Sequence, residues 1–286
     1  MPELPEVETI ARTLRKPVQG AVITNAQLLR PSSLHSLSLP LESLNGYRIA
    51  SVRRRGKLLL LDLDSTTAKA AATPCNHDLL LAFHLRMTGR LTVQQKTTTP
   101  GAYTRCIFDL CAADGNACRL FFDDVRAFGL ILAATPATLE QWPFWRQLGP
   151  EPLTLTAEEF SARLNGKKTA IKAALLDQKV LAGIGNIYAD ESLFAARLDP
   201  RRPSHTLTFW QRQTLLASIK DILLLAIDQC GSSIRDYRDA NGNAGAFQNS
   251  FAVYGRAGKP CQICQRPLTK IRVAGRGTVY CPHCQK

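Results

Sequence analysis

Two C-x2-C pairs near the end of the chain leave their segment few ways to fold. Cys261 and Cys264 in CQIC, and Cys281 and Cys284 in CPHC, are separated by 16 residues. Each C-x2-C step makes a tight knuckle that presents two thiolates to one tetrahedral ion, and two such steps at this distance are a zinc pattern. The intervening LTKIRVAGRGTVY reads as two strands joined at Gly275-Arg276-Gly277, which makes a zinc ribbon with Arg276 at its hairpin tip. So few residues bury little core alone, so the metal would stabilise 251–286 as a small separate module. His283 is an alternative fourth ligand, but four thiolates suffice, so the ion is structural with no open position for catalysis. The nine cysteines are an odd number, and Cys75, Cys106, Cys111, Cys118 and Cys230 are scattered, which argues against a secreted disulfide framework.

The same end of the chain is one-signed. From residue 240 onward there is no Asp or Glu, while Arg256, Lys259, Arg266, Lys270, Arg272, Arg276 and Lys286 are present. Two more basic runs are Arg53, Arg54, Arg55 and Lys57, and Lys167, Lys168 and Lys172, within a formal net charge of +13. Clusters of one sign suit a polyanion, nucleic acid first, and solvated basic faces are the alternative. The longest apolar runs, such as Ile222 to Ile227, are far too short to span a bilayer. Glu3, Glu6 and Glu8 replace the apolar core of a secretory signal, so a cytosolic protein is expected. A length of 286 residues, 45% of them hydrophobic, suits roughly two folded domains.

Val7, Ile10, Ala11 and Leu14 recur at helical spacing, so 4–16 reads as a helix whose first turns carry Glu3, Glu6 and Glu8. Candidate strands follow at 21–30, 47–55, 57–63, 79–86, 89–94, 104–110, 118–122 and 128–133, short and turn-separated as in a sandwich or barrel. STTAKAAATPCNHD (65–78) reads as a surface insertion. The character changes near LGPEPL (148–153), and helical patterns cover 156–165, 169–178, 189–196 and 207–229, the last stopped by Gly231. Residues 232–250, rich in Gly, Asn and Ser, predict a long functional loop. The expected division is 1–135, a linker 136–150, a helical domain 151–250 and the ribbon 251–286.

MPELPEVET, Lys57 in GKLLLLDL, HLRMTGRL (84–91), DVRAFG (124–129), GIGNIYADE (183–191) and the ribbon together resemble the formamidopyrimidine-DNA glycosylase family, over essentially the whole chain. PELPE, where the endonuclease VIII branch usually has PEGPE, favours the branch acting on oxidised purines. The resemblance implies an α+β fold: an N-terminal helix plus a two-layer antiparallel β-sandwich, then a C-terminal helical domain with a helix–two-turn–helix and the zinc ribbon. It implies a bifunctional glycosylase and AP lyase of base excision repair, with one structural zinc ion, acting on damaged double-stranded DNA; a monomer is expected because the sequence carries no evident oligomerisation stripe. GIGNIYADE is then the glycine turn of the helix–two-turn–helix; a dinucleotide fingerprint is excluded because no third Gly follows and no βαβ pattern surrounds it.

Roles follow from that resemblance. Pro2, freed from Met1, would attack the sugar C1′, and an α-amine titrating near ~7.7–8.0 is partly unprotonated at neutral pH. A secondary amine still forms an iminium ion, an electron sink that permits elimination of the 3′ and then the 5′ phosphate. Glu3 would be general acid and base, Glu6 a supporting carboxylate, Lys57 the proton donor for β-elimination and Arg276 for δ-elimination. Chemistry on a base requires extruding it; Met87, Arg126 and Phe128 would fill the void, and 232–250 would form a lid over the extruded base. His84, Arg126, Lys168 and Asn186 match DNA contacts, and Tyr103 stands where many relatives have a histidine. Ala127 and Asn241 depart from the basic residue and the aspartate common at their positions. Oxidised pyrimidines are the alternative substrate, and a silent zinc-ribbon DNA binder is the alternative without chemistry, against which Pro2, Glu3 and Lys57 all stand.

Overall fold

The computed structural model describes residues 1–66, 77–112, 114–234 and 237–286. The chain forms two compact units, one of Met1–Arg146 with Ser232–Gly245, the other of Gln147–Gly231 with Ala246–Lys286. The insertion expected at 65–78 lies mostly outside the described residues.

Unit 1 begins with α1 (Leu4–Val18), then β1 (Val22–Leu28), β2 (Tyr47–Arg55), β3 (Leu58–Ser65), β4 (Leu79–His84), β5 (Gly89–Gln95), β6 (Thr104–Cys111), β7 (Ala117–Asp124) and β8 (Leu130–Ala134). The strands form one antiparallel sheet in the order β5-β7-β6-β1-β2-β3-β4-β8. That sheet is not flat. Phe83 of β4 meets Phe108 of β6 at 6.1 Å and Phe122 of β7 at 5.6 Å between ring centroids. In a flat sheet four strand steps would separate β4 from β6 by roughly 19 Å. The sheet therefore folds over on itself into two layers. The crease lies between β1 and β2, which share the single pair Val22↔Arg48 and carry register shifts at Ile23/Asn25 and Ile49/Ser51; such bulges bend strands. Val7, Ile10, Ala11, Leu14 and Val18 of α1 complete the core between the layers.

The run Leu58–Leu61 reads as continuous rather than alternating because β3 is buried on both faces. Leu59, Leu61 and Leu63 face the inter-layer core, while Leu58 and Leu60 pack outward with Leu80, Ala82 and Leu132. That outer face is covered by the segment expected to be a linker. Residues 136–146 form two one-turn helices, α2 (Pro136–Leu139) and α3 (Pro143–Arg146), and bury Leu139, Trp142 and Trp145.

Unit 2 contains α4 (Ala157–Leu164), α5 (Ile171–Leu176), α6 (Asn186–Ala195) and α7 (Phe209–Asp228), followed by β9 (Thr269–Val273) and β10 (Arg276–Tyr280). A Thr208/Gln211 capping box starts α7, and past its end the chain turns through left-handed Cys230 and Gly231, φ 58° and 76°. The ribbon is not the separate module its length suggested. Val253, Cys261, Leu268, Val279 and Cys281 share a core with Phe194 of α6. The buried carboxylate of Glu191 accepts the amides of Ala252 (2.8 Å), Val253 (3.0 Å) and Tyr254 (2.7 Å). Arg276 is not at the hairpin tip either: the turn is Ala274-Gly275, both with positive φ as in a type I′ turn, and Arg276 opens β10 opposite Val273.

Candidate active site

Pro2 and Glu3 lead into α1, both buried. The Glu3 amide donates to Glu6 Oε2 at 2.8 Å, satisfying one of the donors a helix start leaves open. The other Glu6 oxygen accepts the Ser232 amide (2.8 Å) and hydroxyl (3.1 Å), and the Tyr237 hydroxyl donates to the Glu6 carbonyl at 3.3 Å. One buried carboxylate thus ties the chain start to the loop expected as a lid. The far part of that loop is pinned as well. Ala240 donates to Thr13 Oγ1 and accepts from the Val93 amide, and Asp239 accepts the amides of Asn241 and Asn243. Residues 232–245 therefore belong with unit 1, and 246–250 with unit 2.

Lys57 sits in the two-residue turn closing β2 to β3, between paired Arg55 and Leu58. Gly56 has φ 58°, the positive value a tight hairpin turn needs at its first position. Arg54 binds the Gly56 carbonyl (3.1 Å) and Glu8 of α1 (3.1 Å), which lays this turn alongside the first turns of the helix. His84 pairs with Leu58 across β4 and is only 5% exposed. Burial, then the positive charges of Arg86 and Lys57, push its pKa down to about 3, so the imidazole is neutral. Its Nδ1 accepts the Arg86 amide at 3.1 Å.

The expected void-filling residues project from two loops of unit 1: Met87 is 40% exposed, Phe128 61%, and Arg126 is exposed too. Each loop bends at a left-handed non-glycine residue, Arg86 (φ 52°) and Ala127 (φ 59°). Asp124, fully buried, joins them: it accepts the Thr88 hydroxyl and the amides of Arg126 (3.3 Å) and Gly129 (2.6 Å). Gly129 admits no side chain, because a Cβ would lie 2.6 Å from the Phe122 ring. Tyr103, also exposed, lines a groove of about 320 Å³ with Thr88, Arg90 and Val125.

Lys168, Asn186 and Arg276 lie in unit 2. Lys168 is exposed in the turn before α5. Asn186 opens α6, and its Nδ2 donates to the Gly277 carbonyl (3.0 Å), next to exposed Arg276. The glycine turn before it is held by Gln178, which accepts the Gly183 amide (2.9 Å) and donates to the Ile184 carbonyl (2.8 Å).

Members of two basic runs are drawn into the fold, although Lys168 stays exposed. Lys172 is fully buried, 2.6 Å from Asp190 and hydrogen-bonded to Thr278 and Gly277. Burial raises the Asp190 carboxyl against the pull of Lys172. In the other run, Arg53 is paired with Asp62 and Arg54 with Glu8, and Lys57 is buried. The sequence reading gave no role to Asp124, Ser232 or Gln178: Asp124 and Gln178 hold loop and turn amides that no spacing rule marks, and Ser232 donates to a Glu6 carboxylate 226 positions away.

The four ribbon cysteines converge, all Sγ atoms lying within 4.8 Å of one another. Cys261–Cys284 and Cys264–Cys281 separations of 4.0 and 3.5 Å exclude disulfides and bracket the ~3.8 Å edge of a tetrahedron with Zn–S bonds of about 2.3 Å. The Ile263 amide donates to Cys261 Sγ and the Cys284 amide to Cys281 Sγ, each at 3.4 Å, as in the tight knuckle of a C-x2-C step. The residues fit one structural zinc ion.

A folded-over sandwich begun by a proline-led helix, a glycine-turned helical unit and a four-cysteine ribbon define a DNA-repair glycosylase architecture. Three sequence models match in order: the formamidopyrimidine-DNA glycosylase N-terminal domain over 1–131, its H2TH domain over 148–238, and the zinc finger found in FPG and IleRS over 258–286. Formamidopyrimidine-DNA glycosylases of Nitratidesulfovibrio vulgaris and Pelotomaculum thermopropionicum are each 41% identical; all of this chain is covered, with 100% and 99% of theirs. A variant of the Lactococcus lactis protein, crystallised with DNA containing Fapy-dG, aligns over 100% of both chains with TM-score 0.87 and 33% identity. The Thermus thermophilus MutM (FPG) structure aligns over 99% of this chain and 98% of its own, with TM-score 0.84 and 38% identity. The chain belongs to the formamidopyrimidine-DNA glycosylase family.

Proposed function

We propose that this chain excises oxidised purines, 8-oxoguanine and formamidopyrimidines, from double-stranded DNA, and then cleaves the strand by successive β- and δ-elimination. Pro2, after loss of Met1, is the nucleophile. Its nitrogen bonds to C1′ as the C1′–base bond breaks; loss of the amine proton and opening of the C1′–O4′ bond, with a proton delivered to O4′, leave an iminium, which accepts the electron pair freed when C2′ loses a proton, and the 3′ phosphate departs. Glu3 moves protons at the sugar, Lys57 protonates in the β-step and Arg276 in the δ-step. Met87, Arg126 and Phe128 occupy the emptied stack, and His84, Tyr103, Lys168 and Asn186 serve the backbone. The observation that carries this reading is the Glu6 knot. A buried carboxylate binds the Glu3 amide on one oxygen and the lid residue Ser232 on the other, while Arg54–Glu8 brings the Lys57 turn to the same helix. The family's lyase habit and the Lactococcus lactis structures with Fapy-dG and abasic-site DNA support the same substrate class. Zinc has no step in the reaction; held by Cys261, Cys264, Cys281 and Cys284, it fixes the ribbon that carries Arg276. A monomer acting in the cytosol is part of the proposal, supported by a cysteine cluster suited to thiolate ligation in a reducing compartment.

Borohydride should trap a covalent adduct through Pro2 on an 8-oxoguanine duplex, after intact mass has shown Met1 to be absent. No adduct from the wild type, or unchanged cleavage by Pro2→Gly, would sink the reading. Competition between oxidised purine and oxidised pyrimidine duplexes decides the lesion class.

A further inference from the structure

The cover over the outer face of β3 and β4 is aromatic. Trp142, Phe144 and Trp145 fall within four residues, and the rings of Trp142 and Phe144 are 5.1 Å apart. Trp145 is 7% exposed, and its indole N–H donates to Glu140 Oε1 at 2.8 Å, which fixes the ring. Its face lies beneath the Arg55 guanidinium at 4.1 Å, a cation–π contact that strengthens as the site dries. Phe144 meets His84 edge-on at 5.6 Å. Leu58 packs in the same cluster as Trp142 and Trp145 and is paired with His84. Arg55 precedes the Gly56–Lys57 turn and Leu58 follows it, so the cover grips both ends of the turn and the residue across from it. On the other side Arg54, through Glu8 and the Gly56 carbonyl, braces the same turn.

We propose that Trp145, together with Phe144, is a positioning residue for Lys57, acting on the turn through Arg55, Leu58 and His84 rather than on substrate. The inference rests on the reading that Lys57 supplies a proton in strand cleavage. A turn held from two faces keeps the amine in one place, and misplacement by about 1 Å can cost up to a hundredfold in rate.

The test uses the full chain and a duplex carrying a preformed abasic site, which bypasses base excision, under single-turnover conditions. Trp145→Ala should slow cleavage at saturating enzyme by roughly tenfold or more, with the enzyme concentration for half-saturation unchanged. Trp145→Phe keeps a ring face under the guanidinium and should restore most of the rate. Leu139→Ala removes a buried side chain from the same cluster but leaves the Trp145 ring under Arg55, so it should lower the unfolding midpoint yet leave the rate near wild type. If Trp145→Ala cannot be purified folded, Arg55→Met, which keeps the stem and deletes the cation, should reproduce the slowing. An unchanged rate in Trp145→Ala or Arg55→Met, or equal slowing in Leu139→Ala, overturns the inference. A wild type that leaves the abasic strand intact overturns the lyase reading instead.

Discussion

His84 gives the sharpest prediction about the chemistry around Lys57. Burial, and then the neighbouring cations Arg86 and Lys57, hold its imidazole neutral with a pKa of about 3. An unfolded chain offers an ordinary histidine at about 6.5, which takes up a proton first as the solution is acidified. Stability from this group is therefore complete above about pH 6.5 and drains as pH falls toward the folded value. Each unit is worth about 1.4 kcal/mol, so at pH 5 the wild type should have lost about 2 kcal/mol relative to pH 8 through this residue alone. His84→Gln keeps an acceptor for the Arg86 amide but cannot titrate, so its stability should change less over the same interval. Urea unfolding at several pH values, read by tryptophan fluorescence, measures the difference. Trp142 and Trp145 are buried in unit 1 with His84, whereas Trp210 is 73% exposed and contributes little change. Parallel pH profiles for the two proteins, or an NMR titration placing His84 near the ordinary value, would refute the argument.

Three other outcomes are expected. Glu191→Gln leaves a side-chain amide facing one of the three backbone N–H groups and removes charge from the other two bonds, a cost of about 2–4 kcal/mol; urea unfolding checks it, and a loss under about 1 kcal/mol would contradict the geometry. Cys281→Ser, or a strong chelator, should release the metal and speed hydrogen exchange across Thr269–Tyr280, while the amides of unit 1 keep their protection. Phe128→Ala, at a 61% exposed tip, should change stability by less than about 0.5 kcal/mol; lesion binding should weaken roughly tenfold, the value of one lost base-stacking contact, measured by titration with an abasic duplex.

Local patterns carried much of the fold. Helical spacing located α1, which runs Leu4–Val18 against an expected 4–16, and Gly- and Asp-marked turns located the eight strands to within a few residues. The cysteine spacing located the metal site because a knuckle is closed by two neighbours, while Pro2, Glu3, Lys57 and Arg276 were named from the motif order and their roles belong to the proposal. Which residue covers a face or neutralises a charge was decided elsewhere. Residues 136–150 look like a linker because two one-turn helices are too short to show a period, yet they bury the outer side of β3. Lys172 reads as one of three surface lysines until Asp190 and β10 enclose it. The Ala274-Gly275 turn moved Arg276 from the tip into a strand, a shift set by pairing with Val273. Periodicity and turn chemistry act between residues a few positions apart, so they are written in the chain. Burial, ion pairing and the packing around the Gly56–Lys57 turn act between segments tens or hundreds of positions apart, and these exist only once the chain has folded.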